Sequence, residues 1–199
     1  MNPFFVMGLP RSGSTWLANF LTWGDAFCYH ELAYGCESLD DMEKAFKKVG
    51  SKHIGTCDTG GVFLWDMLAE RWPGAKFLFV VRPIEDVRQS LNHAGFGSEG
   101  LNELAAAMSA GCRCDRITSA TIPYDKLFSQ HGLRQIWNFF EFDEAFPWRR
   151  FELLREMNIQ DISRSNPERE ESEDKMDMSM YRFGKLLEST QPPQQQSFG

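Results

Sequence analysis

The stretch that most constrains the fold is residues 7–16, MGLPRSGSTW, which directly follow the apolar run Phe4-Phe5-Val6. This order predicts a strand, a glycine-bearing loop and a helix. Gly8 and Gly13 can adopt backbone angles that are closed to other residues, so successive main-chain N–H groups of the loop can point at one anion. The positive N-terminal end of the helix would add to that attraction. The sequence therefore predicts an anion-binding loop.

The spacing of this loop also limits which anion it can hold. It matches G-x-x-x-x-G-K-[ST], except that Ser14 stands where a nucleotide triphosphatase has lysine, while Arg11 supplies a cation earlier in the loop. We therefore expect an anion other than a Mg-bound triphosphate. The alternative at this point is an ordinary glycine-rich turn from strand to helix that binds no ligand.

Strands and helices alternate along the rest of the chain. Apolar runs predict strands at residues 2–7, 26–32, 53–58, 76–82 and 117–124. Helical periodicity predicts helices at residues 14–23, 39–49, 62–72, 98–110, 130–142 and 147–157, and another directly after Pro83. Such alternation predicts an α/β fold with a mainly parallel central sheet flanked by helices, whose ligands bind beyond the carboxyl ends of the strands.

Composition changes near residue 160. We predict one α/β domain over residues 1–160 and a charged, partly flexible extension over residues 161–199, because residues 163–177 are polar, strongly charged and almost free of aliphatic side chains. Within the extension, residues 176–187 could dock back on the domain, and the glutamine- and proline-rich tail should be disordered.

Charge and cysteine usage exclude several classes of partner. A net charge of −7 and a pI near 5.2 give no general attraction to nucleic acid or to an anionic membrane.

The five cysteines are odd in number and no basic-then-apolar leader precedes Phe4, so we expect a reduced, cytoplasmic protein. Cys112-Arg113-Cys114 is too tight for a zinc knuckle, and no metal is expected. No apolar run approaches the roughly 20 residues that span a bilayer, so the protein is expected to be soluble or to have lost an anchor.

Residues 10–16, PRSGSTW, resemble the 5′-phosphosulfate loop of sulfotransferases that use 3′-phosphoadenosine 5′-phosphosulfate (PAPS). The resemblance implies a three-layer P-loop-like fold and a cofactor site that includes Trp16. The hydroxyls of Ser14 and Thr15 can bind the 5′-phosphate, and Ser12 and Gly13 can contribute main-chain N–H groups. Arg11 can act in catalysis by stabilising negative charge on the bridging oxygen, without a metal.

A second motif, residues 80–90 (VVRPIEDVRQS), resembles the 3′-phosphate site of the same family. The resemblance implies that Arg82 and Ser90 bind the 3′-phosphate, for which a guanidinium fork and a hydroxyl are suitable donors. A weaker likeness at residues 122–127 implies that Tyr124 contacts the adenine side, although packing in the core explains such a ring equally well. The likeness covers residues 2–142. The family's C-terminal Arg-Lys-Gly loop is not recognisable, and residues 182–185 are only a faint substitute.

Two neighbouring residues, Glu31 and His30, are the leading candidates for the catalytic base. Glu31 stands about 20 residues after Arg11, close to the position of a catalytic glutamate in the tyrosylprotein-type members of the family, and a partly buried carboxylate gains basicity. His30 is the nearest rival because its ordinary pKa suits the task. His53 and Asp58 are the next candidates. The alternative for Glu31 is that it is a solvated loop residue with no catalytic role.

These observations predict a sulfotransferase that moves a sulfuryl group from PAPS to a hydroxyl of an unidentified small-molecule, sugar or peptide acceptor, releasing 3′-phosphoadenosine 5′-phosphate (PAP). The enzyme alternative is a nucleotide-dependent kinase, which would need the missing lysine and an acidic strand end for Mg. The non-enzymatic alternative is a nucleotide-binding protein of the same fold that has lost catalysis.

Overall fold

The computed structural model describes residues 3–156, and within them five strands form a single parallel sheet. The strands are β1 Phe4–Gly8, β2 Ala26–His30, β3 His53–Asp58, β4 Lys76–Val81 and β5 Thr118–Pro123. Their order across the sheet is β2-β3-β1-β4-β5. The predicted parallel α/β architecture is confirmed. Asn2, which was predicted to begin the first strand, and the predictions for residues 157–199, including the extension from residue 161, lie outside the described residues.

Helices cover both faces of the sheet. They are α1 Ser14–Leu21, α2 Leu39–Val49, α3 Trp65–Arg71, α4 Ile84–His93, α5 Leu101–Cys112, α6 Tyr124–Leu127, α7 Gln130–Phe140 and α8 Trp148–Glu156. Short 3₁₀ turns at Leu32–Gly35 and Gly60–Phe63 follow β2 and β3. The domain therefore has the three layers that were predicted.

Alternation along the strands divides the core into two halves. In β1, Phe4 and Val6 pack toward α1, α6, α7 and α8, whereas Phe5 and Met7 pack toward α2, α3, α4 and α5. Successive side chains of a strand point to opposite faces, so one continuous apolar run serves both helical layers. Burying one such side chain stabilises the fold by about 1.5–3 kcal/mol.

The ends of several elements differ from the predictions. The first helix stops at Leu21 rather than Trp23, because the Thr22 hydroxyl donates to the Ala18 carbonyl and accepts from the Cys28 N–H, which turns the chain toward β2. Residues 62–72 form a 3₁₀ turn followed by a shorter α3 rather than one helix. Tyr124, which was predicted to end a strand, begins α6.

The strand order places the functional loops. The connection after β1 leads to one side of the sheet and the connection after β4 leads to the other, although β1 and β4 are neighbours. Ligands of open α/β sheets bind where adjacent connections diverge in this way. The loop at residues 9–13 and the Arg82-Pro83 turn both begin at this point.

Candidate active site

The glycine loop has a tightly defined backbone. Gly13 has a φ of 80° and precedes α1, whose first turn closes with the Leu17 N–H donating to the Gly13 carbonyl at 2.9 Å. A Cβ added at Gly13 would lie 2.8 Å from Leu127 Cδ2. Glycine is therefore required here both for its backbone conformation and for the close approach of α6.

Two of the predicted catalytic residues adopt left-handed backbone conformations. Among residues 3–156 the non-glycine residues with positive φ are Arg11 at 63°, Glu31 at 55° and Glu141 at 55°. Such conformations cost free energy in side-chain-bearing residues and concentrate at functional sites. Arg11 and Glu31 fit that pattern, whereas Glu141 ends α7.

The two phosphate motifs meet at the β1–β4 junction. The Arg82 guanidinium donates to the carbonyl oxygen of Arg11, and Arg11 Nε donates to the Ser90 hydroxyl at 3.4 Å. Residues from the glycine loop, the end of β4 and helix α4 therefore form one cluster. The structure therefore brings Arg11 of the first motif into contact with Arg82 and Ser90 of the second.

Tyr124 also belongs to this cluster. The Arg82 guanidinium carbon lies 4.2 Å from the centroid of the Tyr124 ring, and Phe128 meets the same ring edge-on at 5.4 Å. A cation held on an aromatic face keeps a fixed orientation. Tyr124 therefore supports Arg82, a contact that sequence analysis did not anticipate.

Two buried polar atoms of the cluster have no hydrogen-bond partner. They are the Ser12 hydroxyl oxygen and Arg82 Nε. An unsatisfied buried donor costs about 1–3 kcal/mol, so such atoms call for an explanation. A bound phosphate oxygen is a partner that either group can use, and the site therefore fits an anionic phosphate ester.

Trp16, which was predicted to belong to the cofactor site, has its side chain in the core. Its side chain is buried, stacks on Phe20 with centroids 5.6 Å apart, and donates its indole N–H to the Leu154 carbonyl at 3.0 Å. The ring is thus held between α1 and α8 as part of the core.

His30, at the end of β2, contacts the start of α1. Its Nε2 atom lies 3.1 Å from the Ser14 hydroxyl and 3.1 Å from the Thr15 hydroxyl. Partial burial lowers the pKa of His30, which favours the neutral imidazole at pH 7. The structure therefore joins His30 to the two hydroxyls that were assigned to the 5′-phosphate.

Glu31 is held by the loop that follows β3. Its carboxylate accepts the Thr59 main-chain N–H at 3.0 Å and the Thr59 hydroxyl at 2.8 Å. Burial, with a smaller contribution from the nearby Asp58 charge, raises the pKa of Glu31 to about 8. Although His30 Nε2 lies 3.8 Å from Glu31 Oε1, these opposite pKa shifts favour a neutral pair rather than an ion pair at pH 7.

The two remaining candidate bases have other surroundings. Asp58 is fully buried, and its oxygens accept the Ala33 N–H at 2.9 Å and the Thr56 hydroxyl at 2.5 Å; burial raises the pKa of Asp58 to about 6. His53 begins β3, so its Cα is about 16 Å from the carboxyl end of that strand at 3.3 Å per residue. At the start of the strand, His53 Nε2 lies 2.8 Å from Asp143 Oδ2. These contacts favour Glu31 and His30.

Thr59 is a residue of the site that was not predicted from the sequence. This residue supplies two of the hydrogen bonds to Glu31, yet it lies 28 positions further along the chain. The only available signal was a hydroxyl residue placed directly after a strand that ends in Asp58.

Among residues 3–156, no group of three or more His, Cys, Asp or Glu side chains is arranged to hold a metal ion. Within the same residues, no helix is long and apolar enough to cross a membrane.

Comparison with known proteins identifies the class of fold. No family model and no curated protein matches this sequence. Among solved structures, mouse sulfotransferase SULT7A1 in complex with PAP superposes with a TM-score of 0.54 at 14% identity, covering 84% of this chain and 68% of that one. A sulfotransferase from Alicyclobacillus acidocaldarius superposes with a TM-score of 0.52 at 15% identity, covering 94% and 96% of the two chains. The chain has the P-loop-like α/β fold of these sulfotransferases.

Proposed function

We propose that this protein is a PAPS-dependent sulfotransferase that transfers a sulfuryl group to a hydroxyl of an acceptor. The observation that carries the proposal is the cluster at the β1–β4 junction, where Arg11 contacts both Arg82 and Ser90. A nucleotide with phosphates at its 5′ and 3′ positions requires two anion sites within one molecule's reach. The PAP bound to mouse SULT7A1, a protein of the same fold, adds support.

Each residue has a chemical role in this proposal. The loop N–H groups with Ser14 and Thr15 would hold the 5′-phosphate, and Arg82 with Ser90 would hold the 3′-phosphate. Glu31 would take the proton of the acceptor hydroxyl. As it does so, the acceptor oxygen would bond to sulfur and the bond between sulfur and the bridging oxygen would break. Arg11 would stabilise the charge that develops on that bridging oxygen.

One observation bears on the kinase alternative. Asp58 ends β3 next to β1, where a Mg-dependent enzyme places a carboxylate, but both of its oxygens already accept hydrogen bonds and its side chain is buried. Ser14 also stands in the position of the lysine that would bind a triphosphate. We therefore expect the nucleotide site to work without Mg.

The proposal is tested with ³⁵S-labelled PAPS and a panel of acceptors comprising a tyrosine peptide, a sugar and a phenol, with a chelator present. Metal-independent transfer of label supports the proposal, and Ser12→Ala should change the rate less than Glu31→Gln. PAP binding without transfer to any member of the panel would favour the non-catalytic alternative. Binding that requires Mg and prefers ATP would favour the kinase.

A further inference from the structure

The contact between His30 and the start of α1 links the anion site to a titratable group. Nε2 lies 3.1 Å from both the Ser14 and Thr15 hydroxyls, so one imidazole nitrogen serves two hydroxyls. A neutral Nε2 that carries no proton can accept a hydrogen bond from either of them. The hydroxyls expected to donate to a phosphate thus already have a partner in His30.

An anion at Ser14 and Thr15 would change this arrangement. Hydroxyls that turn to donate to an anionic oxygen no longer donate to Nε2, and the ring is left beside a negative charge. A negative charge within about 4–6 Å favours the protonated imidazole, and an imidazolium can donate its own hydrogen bond to the anion. The unpartnered Ser12 hydroxyl in the same loop is independent support for an anion there.

Several other ionisable groups lie around His30. On its own turn, Glu31 Oε1 lies 3.8 Å from Nε2. On β3, Cys57 is the register partner of His30 and Asp58 follows it, and burial raises the pKa of both side chains. From α1 the contacts are the two hydroxyls, which do not titrate. Glu31 is therefore the competing site for a proton.

We propose that His30 is a ligand of the anion bound at Ser14 and Thr15, and that its imidazole takes up a proton as the anion arrives. Binding of a phosphate ester by this loop then consumes a proton from solvent. This assigns His30 to substrate binding rather than to the role of general base. The inference rests on the proposed function for the identity of the anion, which is the 5′-phosphate of PAPS or PAP.

Calorimetry of PAP binding at pH 7.5, in buffers of low and high ionisation enthalpy without phosphate or sulfate, measures the protons exchanged. A phosphate ester with a second pKa near 6 is already almost fully ionised there, so it contributes little. We expect uptake of about half a proton or more per PAP, and a Kd that rises by up to about tenfold per pH unit as the imidazole loses its proton. His30→Gln should bind without uptake, and His53→Gln, the matched control, should behave as wild type.

Two results would overturn the inference. One is that wild type binds PAP normally but takes up no proton. The other is that proton uptake persists in His30→Gln and disappears in Glu31→Gln. NMR titration of the His30 ring in wild type, with and without PAP, gives the same answer if His30→Gln does not fold. Inorganic sulfate, which does not titrate, separates the two proposals. If PAP fails to bind but sulfate binds with His30-dependent uptake, the proposed function falls and this inference stands, whereas failure of both ligands to bind removes both.

Discussion

At the scale of single residues, the candidate site depends on pKa values that burial shifts in opposite directions. Burial lowers the pKa of His30 and raises the pKa of Glu31 to about 8. Both shifts favour the neutral form at pH 7. A general base has to be deprotonated, so the pKa of Glu31 determines the pH at which the proposed enzyme is active.

Glu31→Gln should retain the shape of the side chain and lose its proton affinity. We expect the single-turnover rate of transfer from PAPS to fall by about 10²–10⁴-fold, with PAP affinity close to wild type. In wild type that rate should increase with pH through about 8, where Glu31 loses its proton. A wild-type rate in Glu31→Gln would move the base to another residue, for which His30→Gln, measured at saturating PAPS, is the next variant.

The same carboxyl should make stability depend on pH. Its pKa is higher in the folded protein than its ordinary value of 4.5, so its contribution to stability is present below about 4.5 and is lost as the pH rises through about 8. We expect the Tm of wild type to fall between pH 5 and pH 9 relative to the Tm of Glu31→Gln. Each 1 kcal/mol of stability lost corresponds to about 2–4 °C in Tm for a protein of this size. Parallel Tm curves for the two proteins would show that Glu31 is not buried as described.

At the scale of elements, the glycine loop is fixed by the helix packed against it as well as by its own sequence. Gly13 combines a φ of 80° with a 2.8 Å approach of Leu127 Cδ2 to an added Cβ. The Gly8 and Gly13 pattern was visible in the sequence and predicted the loop. The approach of α6 was not visible, because it depends on β5 lying next to β4.

Gly13→Ala should be more destabilising than Gly50→Ala. Both glycines have a positive φ, but an added Cβ at Gly50 meets nothing within 4 Å, so Gly50→Ala measures the backbone cost alone. That cost is of order 1–3 kcal/mol, and Gly13→Ala should exceed it because α6 must also move. Urea unfolding of both variants provides the comparison. Equal losses of stability would mean that the packing of α6 against the loop adds nothing to the cost of a Cβ at Gly13.

At the scale of the whole molecule, the sequence indicated two candidate anion-binding motifs but not the order of the strands that brings them together. Arg82 and Ser90 were identified from a local motif, and their contact with Arg11 followed once β4 lay beside β1. The contacts of His30 with Ser14, and of Glu31 with Thr59, depend on β2 lying at the edge next to β3. Strand order is a non-local property, so these partners could not be predicted from residue spacing.

We expect the two motifs to form one nucleotide site at the β1–β4 junction. A charge-assisted hydrogen bond contributes about 1.5–3 kcal/mol, so PAP should bind at least about tenfold more tightly than adenosine 5′-phosphate. Ser90→Ala should reduce that ratio. Ser98, in the connection between α4 and α5, accepts a hydrogen bond from Arg88 of α4, and Ser98→Ala should leave the ratio unchanged.

Calorimetric titration of wild type with PAP and with adenosine 5′-phosphate, in the presence of a chelator, is the most direct test. A site formed by both motifs should prefer PAP by about tenfold or more, and this preference should not depend on Mg. Equal affinities for the two nucleotides would contradict it.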